Sequence, residues 1–175
     1  MNLRSVSYVI LGMLHLGPRS GYDIKRFVDQ STRFFWAASY GQIYPELQRL
    51  ARAGLIESER EPEGGRRRTV YRLTLAGEAR LREWLASEEE PVHELRDEGL
   101  LRLFFADALP KEEALRIVET IRRREAGVLE RLQAIEPMAR TMPARVPHVV
   151  LECGLALHGA MVAWCDETER RLREE

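Results

Sequence analysis

Ser39-Tyr40-Gly41-Gln42-Ile43-Tyr44-Pro45 is the stretch on which the fold of this chain turns. Ser39 followed three residues later by Gln42 is a capping box, in which two side chains satisfy each other's free backbone donors at a helix start. Downstream, Ile43, Leu47 and Leu50 share one helical stripe, and Gly54 stands where a helix needs a left-handed residue to stop. The pattern predicts a helix from about Ser39 to Ala53, with Leu55 folding back over the stripe. Pro45 removes one early hydrogen bond, so either the first turn is kinked or the regular helix begins nearer Tyr44. With the stripe inward, Gly41, Pro45, Gln48, Arg49 and Arg52 turn outward. Gln42 then lies at the flank, and Tyr40 and Tyr44 nearer the shoulders.

Upstream, Val6, Val9, Ile10, Met13 and Leu14 recur at helical spacing until Gly17-Pro18 ends the run. A second helix starts at Ser20, whose side chain and that of Asp23 form another cap pair, with Ile24, Phe27 and Val28 behind it. Residues 32–38, carrying Phe34, Phe35 and Trp36, read as an aromatic-packed connection. After Gly54 come two extended runs, Ile56 to Pro62 and Arg67 to Leu73, bracketing Glu63-Gly64-Gly65-Arg66. Paired glycines permit the positive dihedrals of a hairpin tip. Thr74 caps a fourth helix through Leu81, Trp84 and Leu85. Three helices and then a glycine-tipped hairpin is the order of a winged helix, which offers a helix to the major groove and a cationic hairpin to phosphates. Arg66, Arg67 and Arg68 follow the tip directly. Taken alone, that run reads equally well as a solvated turn.

The acidic stretch Glu88-Glu89-Glu90-Pro91 marks a boundary, giving domains at 1–90 and 91–175. Beyond it three helices are expected: about Val92 to Phe105, Pro110 to about Ile135, and one from near Pro147. The second carries Val118, Ile121, Val128, Leu132 and Ile135, interrupted by Glu125. The third carries Leu151, Leu155, Val162 and Leu172 along one side. Long amphipathic helices of this kind pair with each other or with a second subunit. Charge divides similarly: the first 86 residues hold 14 Lys/Arg against 9 Asp/Glu, the remainder 13 against 19. The fold class is therefore mainly α with a β wing, a winged helix-turn-helix followed by an all-helical domain.

Other chemistries find little support. The 175 residues are 45% hydrophobic with a net charge of −1, as a globular chain should be. No apolar run is expected to reach the ~18–20 residues of a membrane span, and the start lacks a small-residue cleavage site. Cys153 and Cys165 lie about 18 Å apart along one helix, too far for a disulfide, so a reduced, cytoplasmic setting is expected. His15, His93, His148 and His158 are scattered without metal-ligand spacing. His158 and Cys165 share a face, as core or interface residues. No nucleophile–base arrangement or phosphate loop is present, so neither enzyme activity nor a cofactor is expected.

The combination resembles the PadR family of bacterial regulators. The likeness runs through Gly21-Tyr22-Asp23-Ile24, the Ser39–Pro45 stretch, Leu47, Leu50, Gly54-Leu55-Ile56, Tyr71-Arg72-Leu73-Thr74, Gly77 and Trp84-Leu85. It extends more thinly into Leu100, Leu101, Leu103, Phe104 and Phe105. The family's wing commonly reads Gly-Arg-Pro where this chain has Gly65-Arg66-Arg67. The resemblance implies a homodimer, joined through the all-helical dimerisation domain, that binds double-stranded operator DNA and usually represses transcription. It implies that Tyr22 meets the DNA backbone and that Ser39, Tyr40, Gln42 and Tyr44 lie at the DNA face. Gln48 and Arg49 join them by helix geometry, and Arg66, Arg67 and Arg68 by charge. Phe34, Phe35, Trp36 and Trp164 are candidates for lining a pocket for a small aromatic or hydrophobic effector, although hydrophobic packing between helices is the favoured account of them. The rival reading is a protein–protein adaptor that keeps the winged helix without binding DNA.

Overall fold

The computed structural model describes residues 3–17, 19–63, 66–90, 95–141 and 145–174. They form two compact units, Met1–Pro91 and Val92–Glu175. The first holds helices α1 (Ser5–His15), α2 (Gly21–Gln30), α3 (Tyr40–Arg52) and α4 (Leu75–Leu85), with strands β1 (Arg19–Ser20), β2 (Ile56–Glu63) and β3 (Arg66–Leu73). The second holds α5 (Glu98–Phe104), α6 (Lys111–Arg140) and α7 (Arg145–Glu174).

The first unit is built around one apolar cluster. Ile10 and Leu11 of α1, Ile24 and Val28 of α2, and Ile43, Leu47 and Leu50 of α3 are completely buried, joined by Ile56 of β2 and Leu81 of α4. Burying each such side chain contributes about 1.5–3 kcal/mol. Tyr8 and Trp84 stack with ring centroids 4.5 Å apart, fastening α4 to α1. The three strands form an antiparallel sheet in the order β1-β3-β2. Two residues are too few for β1 to carry a periodic signal, and the sequence reading passes over it. Its pairing, Arg19 with Tyr71 and Ser20 with Val70, brings the start of α2 to the wing.

Local chemistry explains the helix ends. The Ser39 N–H donates to Gln42 Oε1 at 2.9 Å, and α3 runs unbroken from Tyr40 through Pro45. The missing Pro45 donor costs only a bond to the exposed Gly41 carbonyl, so the helix does not start late. Gly54 stops α3 with φ of 70°, the left-handed conformation that glycine adopts without a Cβ penalty.

In the second unit α5 begins at Glu98 rather than near Val92; residues 91–94 lie outside those described. Asp97 sets the start, accepting the N–H groups of Gly99 at 2.8 Å and Leu100 at 3.1 Å. α6 continues past Ile135 to Arg140 through Pro137, whose lost bond falls on the exposed Gln133 carbonyl. Val118 and Ile121 of α6 pack with Cys165 of α7. Glu125 does interrupt the stripe, and it is buried there. Its Oε2 lies 2.5 Å from His158 Nδ1, while the Arg124 Nε donates to Oε1 at 2.9 Å.

α7 also departs from expectation. A stretch within Pro147–Glu174 is long and apolar enough, by composition alone, to cross a bilayer. The reason is a second stripe: besides the buried Leu151 and Cys165 against α6, residues Val150, Cys153, Leu157, Ala160 and Trp164 recur at three-four spacing. All five are exposed in a single chain.

Candidate nucleic-acid interface

On one flank of α3, residues Gly21, Tyr22, Asp23, Tyr44, Arg68 and Tyr71 line a notch of about 520 Å³. Sheet pairing positions its edges, since β1 delivers Ser20 beside β3 and α2 begins at the next residue. Gly21 makes the fit possible. A Cβ there would stand 2.8 Å from the Tyr44 ring, so only glycine lets that ring lie against the first turn of α2. Tyr22 is 57% exposed, Tyr40 46% and Tyr44 44%, an unusual outlay of aromatic surface in one small region. Tyr40 and Tyr44 stack at 6.1 Å on successive turns of α3, and the Lys25 ammonium sits 5.4 Å from the Tyr40 ring centroid. Burial, with Tyr44 nearby, pushes the Tyr71 hydroxyl up, so it stays protonated and able to donate.

Asp23 has two duties in this notch. Its carboxylate accepts the Ser20 N–H at 3.0 Å and the Ser20 hydroxyl at 2.8 Å, closing the cap on α2. The same oxygen receives the Arg68 guanidinium from β3. Burial works to raise the Asp23 carboxyl, but the bonds from Ser20 and then Arg68 outweigh it and hold the group below the usual range. Along the wing, Glu61 stands opposite Arg68 and Glu63 opposite Arg66 in the strand register. Acidic positions therefore accompany the arginines, which their order in the sequence conceals. Gly64 and Gly65, read as the hairpin tip, and the side chains of Arg66 and Arg67 lie outside what is described.

The opposite flank of α3 borders a groove of about 590 Å³ lined by residues that include Arg4, Trp36, Gln42, Pro45, Arg49 and Arg52. Glu46 is buried beside it, with only 5% exposure. Ser7, itself fully buried, donates its hydroxyl to Glu46 Oε1 at 2.5 Å. Arg49 donates from Nε to Oε2 at 2.9 Å, from a terminal nitrogen to Oε1 at 2.5 Å, and to Ser7 Oγ at 3.0 Å. The Arg49 bond, against the opposing effect of burial and with help from Ser7, keeps the Glu46 carboxyl below its usual range. Helix geometry places Glu46 on the face of Ile43 and Leu50, yet a search for apolar periodicity skips an acidic residue.

The structure thus gathers Tyr22, Tyr44 and Arg68 in one notch, with Tyr40 a turn away from Tyr44. Ser39, Gln42 and Gln48 are exposed along α3, whereas Arg49 is tied to Glu46 and Ser7. Among the aromatic candidates, Trp36 lines the groove, Phe35 is exposed and Phe34 half-buried. Trp164 belongs to the second unit.

Residues 10–83 match the model of the transcriptional regulator PadR-like family, and residues 95–173 that of the virulence activator alpha C-terminal domain. The negative transcriptional regulator PadR of Bacillus subtilis is 31% identical over 94% of this chain and 95% of its own length. This chain belongs to the PadR-like family of transcriptional regulators. For a PadR-like chain, the first match covers most of α1 through most of α4, and the second runs from just before α5 almost to the end of α7. The likeness extends to solved structures. B. subtilis PadR in complex with operator DNA superposes with a TM-score of 0.87, at 28% identity, covering 97% of this chain and 99% of that one. The same regulator in complex with p-coumaric acid gives 0.80, at 25% identity over 99% and 100% of the two chains. The winged-helix fold with C-terminal helices is thereby shared over nearly the whole PadR-like chain.

Proposed function

We propose that this chain is a homodimeric, sequence-specific DNA-binding repressor of the cytoplasm, without catalytic activity, released from a palindromic operator by a small aromatic or hydrophobic effector. The observation that carries the reading is the notch where Tyr22, Tyr44 and Arg68 meet beside the exposed polar face of α3. The Tyr22 hydroxyl and the Arg68 guanidinium at the mouth of a helix flank suit phosphate oxygens, and the Tyr44 hydroxyl and the amides of α3 suit base edges. In this reading Tyr22, Tyr40 and Arg68, with Arg66 and Arg67, hold the DNA backbone, while Ser39, Gln42, Tyr44 and Gln48 face the bases. Arg49 belongs to this surface by its place on α3. The relative's complex with operator DNA supports DNA as the partner.

The first 90 residues serve as the DNA-binding domain and residues 91–175 as the dimerisation domain. The exposed stripe of Val150, Leu157 and Trp164 on α7 is what a second copy would cover, since an apolar face at heptad-like spacing buries itself against another helix. An aromatic effector has a candidate wall in Trp36, with Phe34 and Phe35 as further candidates in the same unit and Trp164 as a separate candidate in the second, and the relative's complex with p-coumaric acid supports a ligand of this kind. Such a ligand releases DNA only by binding one dimer geometry more tightly than the other.

A mobility-shift experiment on DNA flanking the chain's own gene, against random duplex of equal length, tests the reading. Preferential retardation of the flanking DNA is expected. No retardation of either duplex would favour the adaptor.

A further inference from the structure

Three apolar side chains, Ile43, Leu47 and Leu50, seat α3 in the core, and their close packing resists large shifts, but apolar contacts have no preferred direction of their own. Rotating a helix by ~20° moves a side-chain tip ~5–6 Å from its axis by ~2 Å. Hydrogen bonds tolerate a window of only ~0.5 Å. Reading base edges is therefore served by a directional contact that fixes the rotation of α3 more finely than packing alone. One directional group is buried under that helix. Glu46 takes bonds from Ser7 of α1 and from Arg49 one turn along α3, and the Ser7 oxygen also accepts the Arg4 N–H at 3.0 Å.

We propose that Glu46, held between Ser7 and Arg49, is a positioning residue for DNA reading, fixing the rotation of α3 against α1 and so aiming Gln42, Tyr44 and Gln48. The proposal rests on the DNA-binding reading above. Stability alone is a poor reason for such a cluster, since buried ion pairs replaced by apolar groups of similar size are often no less stable. A network whose partners lie on two helices has one satisfied geometry, and any slip leaves a buried carboxylate short of donors. Arg49, with two guanidinium nitrogens bound to Glu46 and Ser7, then contributes to recognition at least in part through the helix it steadies.

The test uses the full-length chain with Glu46→Met, which removes the charge at similar length, and Glu46→Gln, which keeps the shape. Affinities for operator and for random duplex are measured by fluorescence anisotropy, and melting temperature by circular dichroism. A merely structural role lowers the folded fraction and hence both affinities by one factor, leaving their ratio unmoved. The proposal expects folded variants whose operator-to-random ratio falls about 3- to 30-fold, with random-duplex affinity held within twofold. Folded variants that keep the wild-type ratio overturn it. If both substitutions unfold the domain, Ser7→Ala, which deletes only the hydroxyl between the helices, is judged on the same ratio. Wild-type protein that prefers no duplex would instead refute the DNA-binding reading itself.

Discussion

The Asp23 carboxylate, in the first turn of α2, receives the guanidinium of Arg68 from the wing strand β3 while closing the α2 cap with Ser20. One acidic group thus holds both a helix start and a wing cation. Asp23→Asn keeps a cap acceptor but discharges the clasp. The pair is partly exposed, so its loss should cost at most ~1 kcal/mol, a fall in melting temperature of a few degrees. Weakening this one hold on Arg68 should raise random-duplex affinity up to about fivefold and steepen the salt dependence by up to ~1 in log–log slope. Anisotropy titrations across salt measure both, and a weaker affinity would place Arg68 in a structural role.

Gln42→Ala should weaken operator binding by about 5- to 100-fold and leave random-duplex binding within twofold, as expected for a base-edge contact. Tyr22→Phe should weaken both by a similar few-fold factor, because phosphate contacts carry no sequence information. Parallel titrations of the two variants check the assignment. Reversed behaviour would exchange their roles.

Acid should unfold this chain through identifiable groups. Glu46, Asp23 and Asp97 are each held below their ordinary range, Asp97 by Arg124 above all. A carboxyl depressed on folding contributes stability that is present above its unfolded value and lost as pH falls through the folded one. The loss should therefore set in below the ordinary carboxylate values of about 3.9–4.3, with little change from these groups between pH 5 and 7. Glu46→Gln should flatten the acid limb. Melting temperatures from pH 2.5 to 7 test this, and an unchanged limb in that variant would remove Glu46 from the account.

Leu157→Glu on the exposed stripe of α7 should convert a dimer into monomers, since an interface carboxylate without a partner is strongly disfavoured. Light scattering should show the dimer dissociation constant rising at least about 100-fold, with operator binding weakened alongside. A variant that remains dimeric would place the interface elsewhere.

How much was legible in the sequence depended on the kind of signal. The α3 start and stop could be read from Ser39, Gln42 and Gly54 because capping and left-handed glycine are local chemistry. β1 was not legible, since two residues have no period. α5 starts at Glu98 and not near Val92 because the Asp97 carboxylate caps its first turn, a local signal that apolar spacing does not carry. Glu46 escaped notice for a different reason. Its burial depends on Ser7, 39 residues away, and no spacing rule on α3 announces such a partner. The acidic positions opposite the wing arginines likewise emerge only from strand register.

The central claim, a dimer reading DNA through paired winged helices, is tested most directly by hydroxyl-radical footprinting on the preferred duplex. Two protected half-sites related by a dyad are expected, about 34–36 Å or a multiple of that apart, lost together in Leu157→Glu. A single asymmetric patch, or no protection at protein concentrations that saturate random duplex, would contradict it.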